Sequence, residues 1–234
     1  MSDLKKSFFA KLLFPERCRF CNKVIDLRRD VCKDCEENKN EITGEICMLC
    51  GFKAEDCACK KHKNFYSAVA APFYYDGAAE KAVANLKFNG IKQLADTLSQ
   101  DMADCFSNHF INYSFEYVTC VPMTEKSFKQ RGFNQSELLA EKVSEKIGVP
   151  YVQLLEKTVE TKTQHFLKEN ERSGNILGVF ELRKSELDKI ENARILLIDD
   201  IKTTGSTLNE CAKTLLIGGA AEIFCLTAAI VRKK

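Results

Sequence analysis

Two adjacent carboxylates and a hydroxyl-rich turn stand between an apolar run and an amphipathic segment near the end of the chain. Asp199 and Asp200 follow the run 194–198 and precede Thr203-Thr204-Gly205-Ser206-Thr207. Backbone N–H groups at a helix start form a phosphate cradle with such hydroxyls, and a glycine lets the backbone approach the phosphate closely. The carboxylates could accept hydrogen bonds from vicinal sugar hydroxyls and help to hold a divalent cation near a diphosphate. The alternative is a helix cap followed by an ordinary turn. A Walker-type loop is excluded because its Gly-Lys-Ser/Thr is absent.

Eight of the twelve cysteines lie within the first 59 residues and form close pairs. Paired cysteines can direct two sulfurs at one ion, and two pairs complete a tetrahedral thiolate site. Few large apolar residues lie between them, so metal ligation would supply folding free energy that this segment lacks. The alternatives are reduced thiols or disulfides, and the spacing leaves open whether the two zinc sites use sequential or interleaved pairs. The predicted zinc ligands are Cys18, Cys21, Cys32, Cys35, Cys47, Cys50, Cys57 and Cys59. One residue separates Cys57 from Cys59, whereas two residues separate the cysteines of each other pair.

The rest of the chain alternates between strand and helix patterns. We predict strands over 67–75, 117–121, 194–199 and 222–231, and helices over 78–88, 91–110, 137–147 and 207–217. This alternation indicates an α/β domain with a mainly parallel sheet flanked by helices. Ligands of such sheets bind beyond the carboxyl ends of the strands, here the loops 122–135 and 199–207. We therefore predict a zinc-binding module over 1–64, with a short N-terminal docking helix, and an α/β domain over 65–234.

Composition and charge limit the class of protein. The 234 residues carry a formal net charge of +2, so any role in nucleic-acid binding is confined to local basic patches. The sequence has neither an apolar run long enough for a transmembrane segment nor a secretory signal, so we expect a cytoplasmic protein whose cysteines stay reduced. The apolar N-terminal segment could lie on a membrane, although packing on the protein's own body is the favoured interpretation.

The strand, acid pair and Thr-Thr-Gly-x-Thr turn resemble the signature of type I phosphoribosyltransferases, which bind 5-phosphoribosyl-1-diphosphate (PRPP). The resemblance implies a type I phosphoribosyltransferase-like fold and magnesium as a cofactor. It implies that Asp199 and Asp200 contact the ribose and that Thr203, Thr204, Gly205, Ser206 and Thr207 hold the 5-phosphate. A second loop, with Met123, Thr124, Lys126, Lys129 and Arg131, would meet the diphosphate. We expect the catalytic residues to be Asp199, Asp200 and Arg131, and we expect a mobile loop to carry the positive charges of Lys126, Lys129 and Arg131. The alternative for this basic loop is a solvated turn.

A narrower resemblance, to the ComF family, covers nearly the whole chain. That family joins cysteine pairs to a phosphoribosyltransferase-like domain and is implicated in DNA uptake for natural transformation. Its motifs occur here in order: 13–15, 75–77, 86–90, 121–122, 131–135, 161–164, Arg172 with Asn175, and 199–207. Lys126 and Lys129 stand in a loop that is usually richer in arginine, and Lys157 stands where arginine is common. Lysine keeps the charge but lacks the bidentate fork of arginine.

Three functions are compatible with these features. The first is magnesium-dependent phosphoribosyl transfer to an unidentified acceptor, and the second is a non-catalytic PRPP- or nucleotide-responsive module. The third is a component of the competence machinery that binds single-stranded DNA or protein partners, using the zinc module and basic loops.

Overall fold

The computed structural model of the chain describes residues 15–26, 29–59, 64–157 and 179–232. The predicted docking helix falls on residues 1–14, outside this range. Among the described residues no helix is long and apolar enough to cross a membrane. The division into residues 1–64 and 65–234 stays a prediction.

A parallel sheet forms the centre of the molecule, as the sequence predicts. Its strand order is β1 (Ala68–Ala70), β7 (Glu222–Ile230), β6 (Arg194–Lys202) and β3 (Tyr117–Cys120), and β2 (Phe73–Tyr74) also pairs with β7. All of these pairs are parallel, with Leu197 of β6 lying between Thr119 and Cys225. The middle strands β6 and β7 are buried along most of their length, which explains their continuous apolar sequences.

Helices and a small pair of antiparallel strands cover the two faces of the sheet. The helices α2 (Gly77–Asn89), α3 (Leu94–His109) and α5 (Gln135–Ile147) pack in one apolar cluster with one face. The helix α6 (Ser206–Ile217) and the antiparallel strands β4 (Leu155–Lys157) and β5 (Phe180–Leu182) pack against the other. A 3-10 helix, Lys184–Lys189, follows β5. Both faces of β6 are therefore shielded from water up to its carboxyl end.

Two segments differ from their predicted form. The single strand expected over 67–75 is divided into β1 and β2, because Pro72 has no N–H for the sheet and its carbonyl instead accepts from the N–H of Ile42 at 2.8 Å. The basic loop expected after β3 contains a two-turn helix, α4 (Glu125–Arg131). Thr124 caps its start by accepting from the Ser127 N–H at 3.2 Å, and Gly132 ends it with φ +80°.

The cysteine-rich segment packs directly on the sheet. Cys18, Phe20 and Cys35 belong to the same buried cluster as α2, α3 and α5, and the Phe20 and Phe73 rings meet edge-on at 5.6 Å. Its short helix α1 (Lys33–Glu37) contacts α2. The backbone N–H of Val69 donates to the Met48 carbonyl at 2.9 Å. The cysteine-rich segment and the sheet thus share one core.

Gly51 marks a close approach between the two parts. Its φ of +79° is unfavourable for a residue with a side chain, and a Cβ there would lie 2.4 Å from the Cδ1 atom of Ile230. Gly51 therefore allows the second cysteine cluster to lie against the carboxyl end of β7. This position is next to the edge where the sheet presents its ligand-binding loops.

Candidate functional site

The eight cysteines form two four-sulfur clusters. Within each cluster the Sγ atoms all lie within 4.8 Å of one another, and all eight thiols are free. The Sγ–Sγ distances are 3.6 Å for Cys21 and Cys32, and 3.5 Å for Cys47 and Cys59. Four sulfurs about 2.3 Å from a tetrahedral zinc ion would be separated by about 3.8 Å. The clusters are therefore zinc-ribbon sites.

The clusters use sequential pairs, which answers the question that the spacing left open. Cluster one is formed by Cys18, Cys21, Cys32 and Cys35, and cluster two by Cys47, Cys50, Cys57 and Cys59. The short Cys57-x-Cys59 gap does not exclude that pair, whose sulfurs lie 3.1 Å apart. The 3-10 helix Ala54–Asp56 immediately precedes it and returns the chain toward Cys47.

The acid pair lies near the carboxyl end of β6. The strand continues to Lys202, beyond its predicted end at 199, because Ile201 and Lys202 pair with Ala229 and Ile230 of β7. Asp199 and Asp200 are both buried. Buried carboxylates require partners, and those that they find here come largely from outside the strand.

Three side chains from two helices hold the carboxylates. Ser136 Oγ donates to Asp199 Oδ1 at 2.8 Å, and Gln135 Nε2 donates to Asp200 Oδ2 at 3.0 Å. The Lys87 ammonium lies 3.3 Å from the same Asp200 oxygen. Ser136 and Gln135 begin α5, whereas Lys87 lies in the last turn of α2. Asp200 is thus paired with a cation.

The surroundings of Asp199 make its carboxyl harder to ionise than an ordinary aspartate. Burial, and then the neighbouring Asp200 carboxylate, raise the pKa of Asp199 to about 7, and hydrogen bonds from Ser136 and the Asp200 N–H oppose this rise. Near neutral pH, one member of the pair therefore carries a proton for much of the time. A divalent cation would favour its ionised form.

This pKa predicts a pH-dependent stability difference for Asp199→Asn. A carboxyl whose pKa is raised by folding stabilises the folded state below its unfolded pKa of about 3.9, and that contribution is lost as pH rises toward about 7. The asparagine variant keeps the acceptor oxygen and avoids this loss, so the difference in the free energy of unfolding should change in favour of the variant between about pH 4 and 7 and level off above about pH 7. If the whole rise of the Asp199 pKa on folding acts on stability, the change in this difference is at most about 4 kcal/mol. Urea unfolding of both proteins at each pH measures the difference, and a difference independent of pH would contradict the assignment.

The hydroxyl-rich turn follows the acid pair directly. Gly205 adopts φ +85° immediately before α6, and the Thr204 and Ser206 hydroxyls lie 2.9 Å apart. Thr203, Thr204, Ser206 and Thr207 are exposed. A Cβ at Gly205 would lie 3.2 Å from both Lys202 Cε and the Tyr66 hydroxyl, so a side chain there would crowd the turn. The turn therefore presents hydroxyls and helix-start N–H groups to solvent.

Helix α4 brings positive charge to the same edge. Lys126 and Lys129 are exposed on it, and Arg131 Nη1 donates to Gln135 Oε1 at 2.6 Å. Gln135 therefore connects Arg131 to Asp200. A cleft of about 890 Å³ opens beside α4 and is lined by residues that include Met123, Thr124, Lys126, Lys129 and Lys157. Lys126, Lys129 and Arg131 thus lie on a capped helix, where the sequence predicts a loop.

Comparison with known proteins agrees with this arrangement. The double zinc ribbon domain family matches residues 9–63, and the phosphoribosyl transferase domain family matches residues 134–234. The DNA utilization protein YhgH of Escherichia coli is 36% identical over 228 residues, covering 92% of this chain and 98% of that protein. The competence protein ComFC of Streptococcus pneumoniae is 31% identical over 212 residues, covering 86% and 89%.

This chain belongs to the ComF family. The family assignment and the type I phosphoribosyltransferase-like fold with an N-terminal double zinc ribbon are thereby confirmed. Among solved structures, an adenine phosphoribosyltransferase from Thermoanaerobacter pseudethanolicus is 16% identical and covers 62% of this chain and 83% of that chain, with a TM-score of 0.38.

The structure of this ComF protein brings most of the predicted site residues to one edge of the sheet. The acid pair lies in the last part of β6, the hydroxyl-rich turn follows β6, and α4 follows β3. The motif 161–164, with Gln164, and the residues Arg172 and Asn175 lie outside the described residues. The predicted contacts with PRPP remain predictions.

Sequence reasoning missed the residues that hold the acid pair. Lys87 entered only as part of the motif 86–90, and the structure places its ammonium on Asp200. Gln135 entered only as part of a motif, and Ser136 was not identified. The sequence Asn-Gln-Ser at the start of α5 was the one indication of these contacts. Its polar side chains are buried, and buried polar groups need specific partners.

Proposed function

We propose that this ComF protein binds PRPP and, with magnesium, transfers its phosphoribosyl group to an acceptor. The observation that carries the proposal is the continuity of Asp199, Asp200 and the turn 203–207 along one chain segment at the ligand-binding edge of the sheet. The carboxylates would accept hydrogen bonds from the ribose hydroxyls. The turn would hold the 5-phosphate with its N–H groups and hydroxyls.

The diphosphate would lie toward α4. Lys126 and Lys129 offer ammonium groups on the rim of the large cleft, and Met123 and Thr124 lie where β3 leads into the helix. Arg131, connected to Asp200 through Gln135, would place a further cation between ribose and diphosphate. These positive charges would stabilise the negative charge that develops as diphosphate leaves.

The transfer requires no covalent nucleophile in the protein. The anomeric carbon becomes oxocarbenium-like as the bond to diphosphate breaks, so the protein contributes by positioning both partners and stabilising charge. Buried carboxylate oxygens beside a phosphate site fit magnesium, which is a hard cation with oxygen ligands. When bound, magnesium would neutralise the diphosphate and organise it for departure.

The biological setting of the proposal rests on the relatives. They are described as competence and DNA utilization proteins, and we propose that this chain acts in DNA uptake. Zinc thiolate ligands are stable in reducing surroundings, so a cytoplasmic location is part of the proposal.

A second candidate is a non-catalytic module that responds to PRPP or binds single-stranded DNA or partners in the competence machinery. Two exposed aromatic rings support the DNA alternative: Phe88 is 72% exposed and Phe128 is 47% exposed. Lys87, Lys126 and Arg131 lie in the same two helices. Aromatic rings interleaved with cations are typical of surfaces that bind single strands.

One set of assays separates the candidates. Diphosphate release from PRPP and magnesium is measured across a panel of nucleobases and amines, with Asp199→Asn/Asp200→Asn as the inactive control. We expect release with at least one acceptor and none from the control. PRPP binding without release from any acceptor would favour the responsive module. Salt-dependent binding of single-stranded DNA that weakens in Lys126→Ala/Lys129→Ala/Arg131→Ala would favour the DNA alternative.

A further inference from the structure

The two zinc clusters differ in how far solvent reaches their ligands. In cluster one, Cys18 and Cys35 are buried, with only 1% and 0% of their surface exposed, and both belong to the core that the sheet shares. In cluster two, all four cysteines are half-buried. A small reactant in solution is therefore kept from two ligands of cluster one, whereas it can approach each ligand of cluster two.

A cavity beside cluster two gives such a reactant further access. Cys50 and Cys59 form part of its lining, and its volume is about 530 Å³. A water molecule takes up about 30 Å³ in the liquid, and hydrogen peroxide is only slightly larger. Thr203 and Thr204 of the hydroxyl-rich turn line the same cavity. A peroxide molecule can therefore meet the sulfurs of cluster two from a space that adjoins the turn.

Within cluster two, Cys59 has two close sulfur neighbours. Its Sγ atom lies 3.1 Å from that of Cys57 and 3.5 Å from that of Cys47. In cluster one, the sulfurs of Cys21 and Cys32 lie 3.6 Å apart. Because a disulfide requires about 2.05 Å between its sulfurs, Cys57 and Cys59 need to approach by only about 1 Å. One residue separates them in the chain, so a local movement is sufficient.

We propose that cluster two is an oxidation site, at which hydrogen peroxide joins Cys57 and Cys59 in a disulfide and releases the zinc ion while cluster one keeps its own. Thiolate, the form in which cysteine binds zinc, is also the form that peroxide oxidises, and susceptibility follows exposure of the sulfur. Cluster two combines the exposed sulfurs, the adjoining cavity and the closest partner.

The reaction consumes one peroxide for each disulfide. The Cys59 thiolate attacks one oxygen, the O–O bond breaks, and hydroxide leaves, so that Cys59 becomes a sulfenic acid. The Cys57 thiolate then attacks the Cys59 sulfur, the S–S bond forms, the S–O bond breaks, and a second hydroxide leaves. Two thiolates lose two electrons and the peroxide gains them. Only Cys47 and Cys50 remain as ligands, so the zinc ion is released.

Loss of this ion would also loosen the segment 47–59 on the sheet. The Tyr74 hydroxyl donates to Asp56 Oδ2 at 2.8 Å and accepts from the Lys53 N–H at 3.2 Å. Both partners lie between the cysteine pairs of cluster two, so the metal holds them in place. The segment shares the cavity with the hydroxyl-rich turn. Oxidation would therefore weaken phosphate binding at the turn, a consequence that rests on the proposed function.

The oxidation site is tested on the full zinc-loaded chain with one equivalent of hydrogen peroxide. A colorimetric indicator measures released zinc, and mass spectrometry maps the disulfides. We expect loss of one of the two ions, a disulfide between Cys57 and Cys59, and recovery of both ions after a thiol reductant and zinc are added. Cys59→His can still ligate zinc and should retain both ions. Cys105→Ala removes a buried thiol outside both clusters and should lose one ion as the natural protein does.

Four results would overturn the oxidation site: no release of zinc, loss of both ions together, loss from cluster one first, or a first disulfide other than that between Cys57 and Cys59. The mapping in the natural protein decides the question even if Cys59→His fails to bind zinc.

The effect on the turn is measured by titrating the reduced and the oxidised protein with PRPP and magnesium. We expect binding about 10-fold weaker after oxidation, which corresponds to the loss of about one hydrogen bond to the phosphate. Equal affinity of the two forms would overturn this effect. If neither form binds PRPP, the proposed function fails, whereas zinc release and disulfide mapping still decide the oxidation site.

Discussion

Replacing Asp199 and Asp200 together by asparagine should lower the affinity for PRPP by about 100-fold or more. Each carboxylate would lose a charge-assisted hydrogen bond to a ribose hydroxyl, worth about 1.5–3 kcal/mol. Two such losses correspond to about two to four orders of magnitude in affinity. The side chains keep their size, and Asn at 199 can still accept from Ser136 and from the backbone N–H of residue 200.

Calorimetry with PRPP and magnesium measures this effect. Asp104→Asn is the matched control, because Asp104 is an exposed carboxylate on α3, away from the site. Its affinity should equal that of the natural protein. Unchanged PRPP affinity in the double variant would show that the acid pair does not bind the sugar.

Removing zinc should unfold the whole chain, and not the ribbons alone. Cys18 and Cys35 of cluster one lie in the same buried cluster as the helices on one face of the sheet, and in that cluster the Phe20 ring contacts the Phe73 ring. Structural zinc contributes about 10–16 kcal/mol in zinc-finger peptides, whereas a whole domain is stable by about 5–15 kcal/mol. Loss of the metal can therefore exceed the stability of the shared core.

Metal analysis combined with circular dichroism tests this prediction. We expect two zinc ions per chain, with one lost in Cys57→Ser, and a single unfolding transition that coincides with zinc release to a chelator. Cys105→Ala is the control, because Cys105 is buried outside both clusters; it should retain both ions. A sheet that stays folded after complete zinc removal, or fewer than two zinc ions in the natural protein, would contradict this account.

The sheet was predictable because its strands carry a local signal. The interior strands β6 and β7 are apolar on both faces, and that continuous pattern identifies them without any knowledge of their partners. Helix α4 has no such signal: it is short and polar, and none of its residues is buried. Its caps, Thr124 and Gly132, were the available indications of a helix at this position.

The site was predictable only in part. Asp199, Asp200 and the turn 203–207 are consecutive in the chain, so their proximity follows from the sequence itself. The pairing of Lys87 with Asp200 joins two distant segments through the packing of α2 on the sheet. The grouping of cysteines into clusters likewise depends on how the chain folds back, which spacing alone does not determine.

The central claim is that this edge of the sheet is a PRPP site, and the most direct measurement is a calorimetric titration of the natural zinc-loaded protein with PRPP, with and without magnesium chloride. The account predicts saturable binding at one site per chain that is tighter with magnesium. Absence of PRPP binding by the folded protein in the presence of magnesium would contradict it.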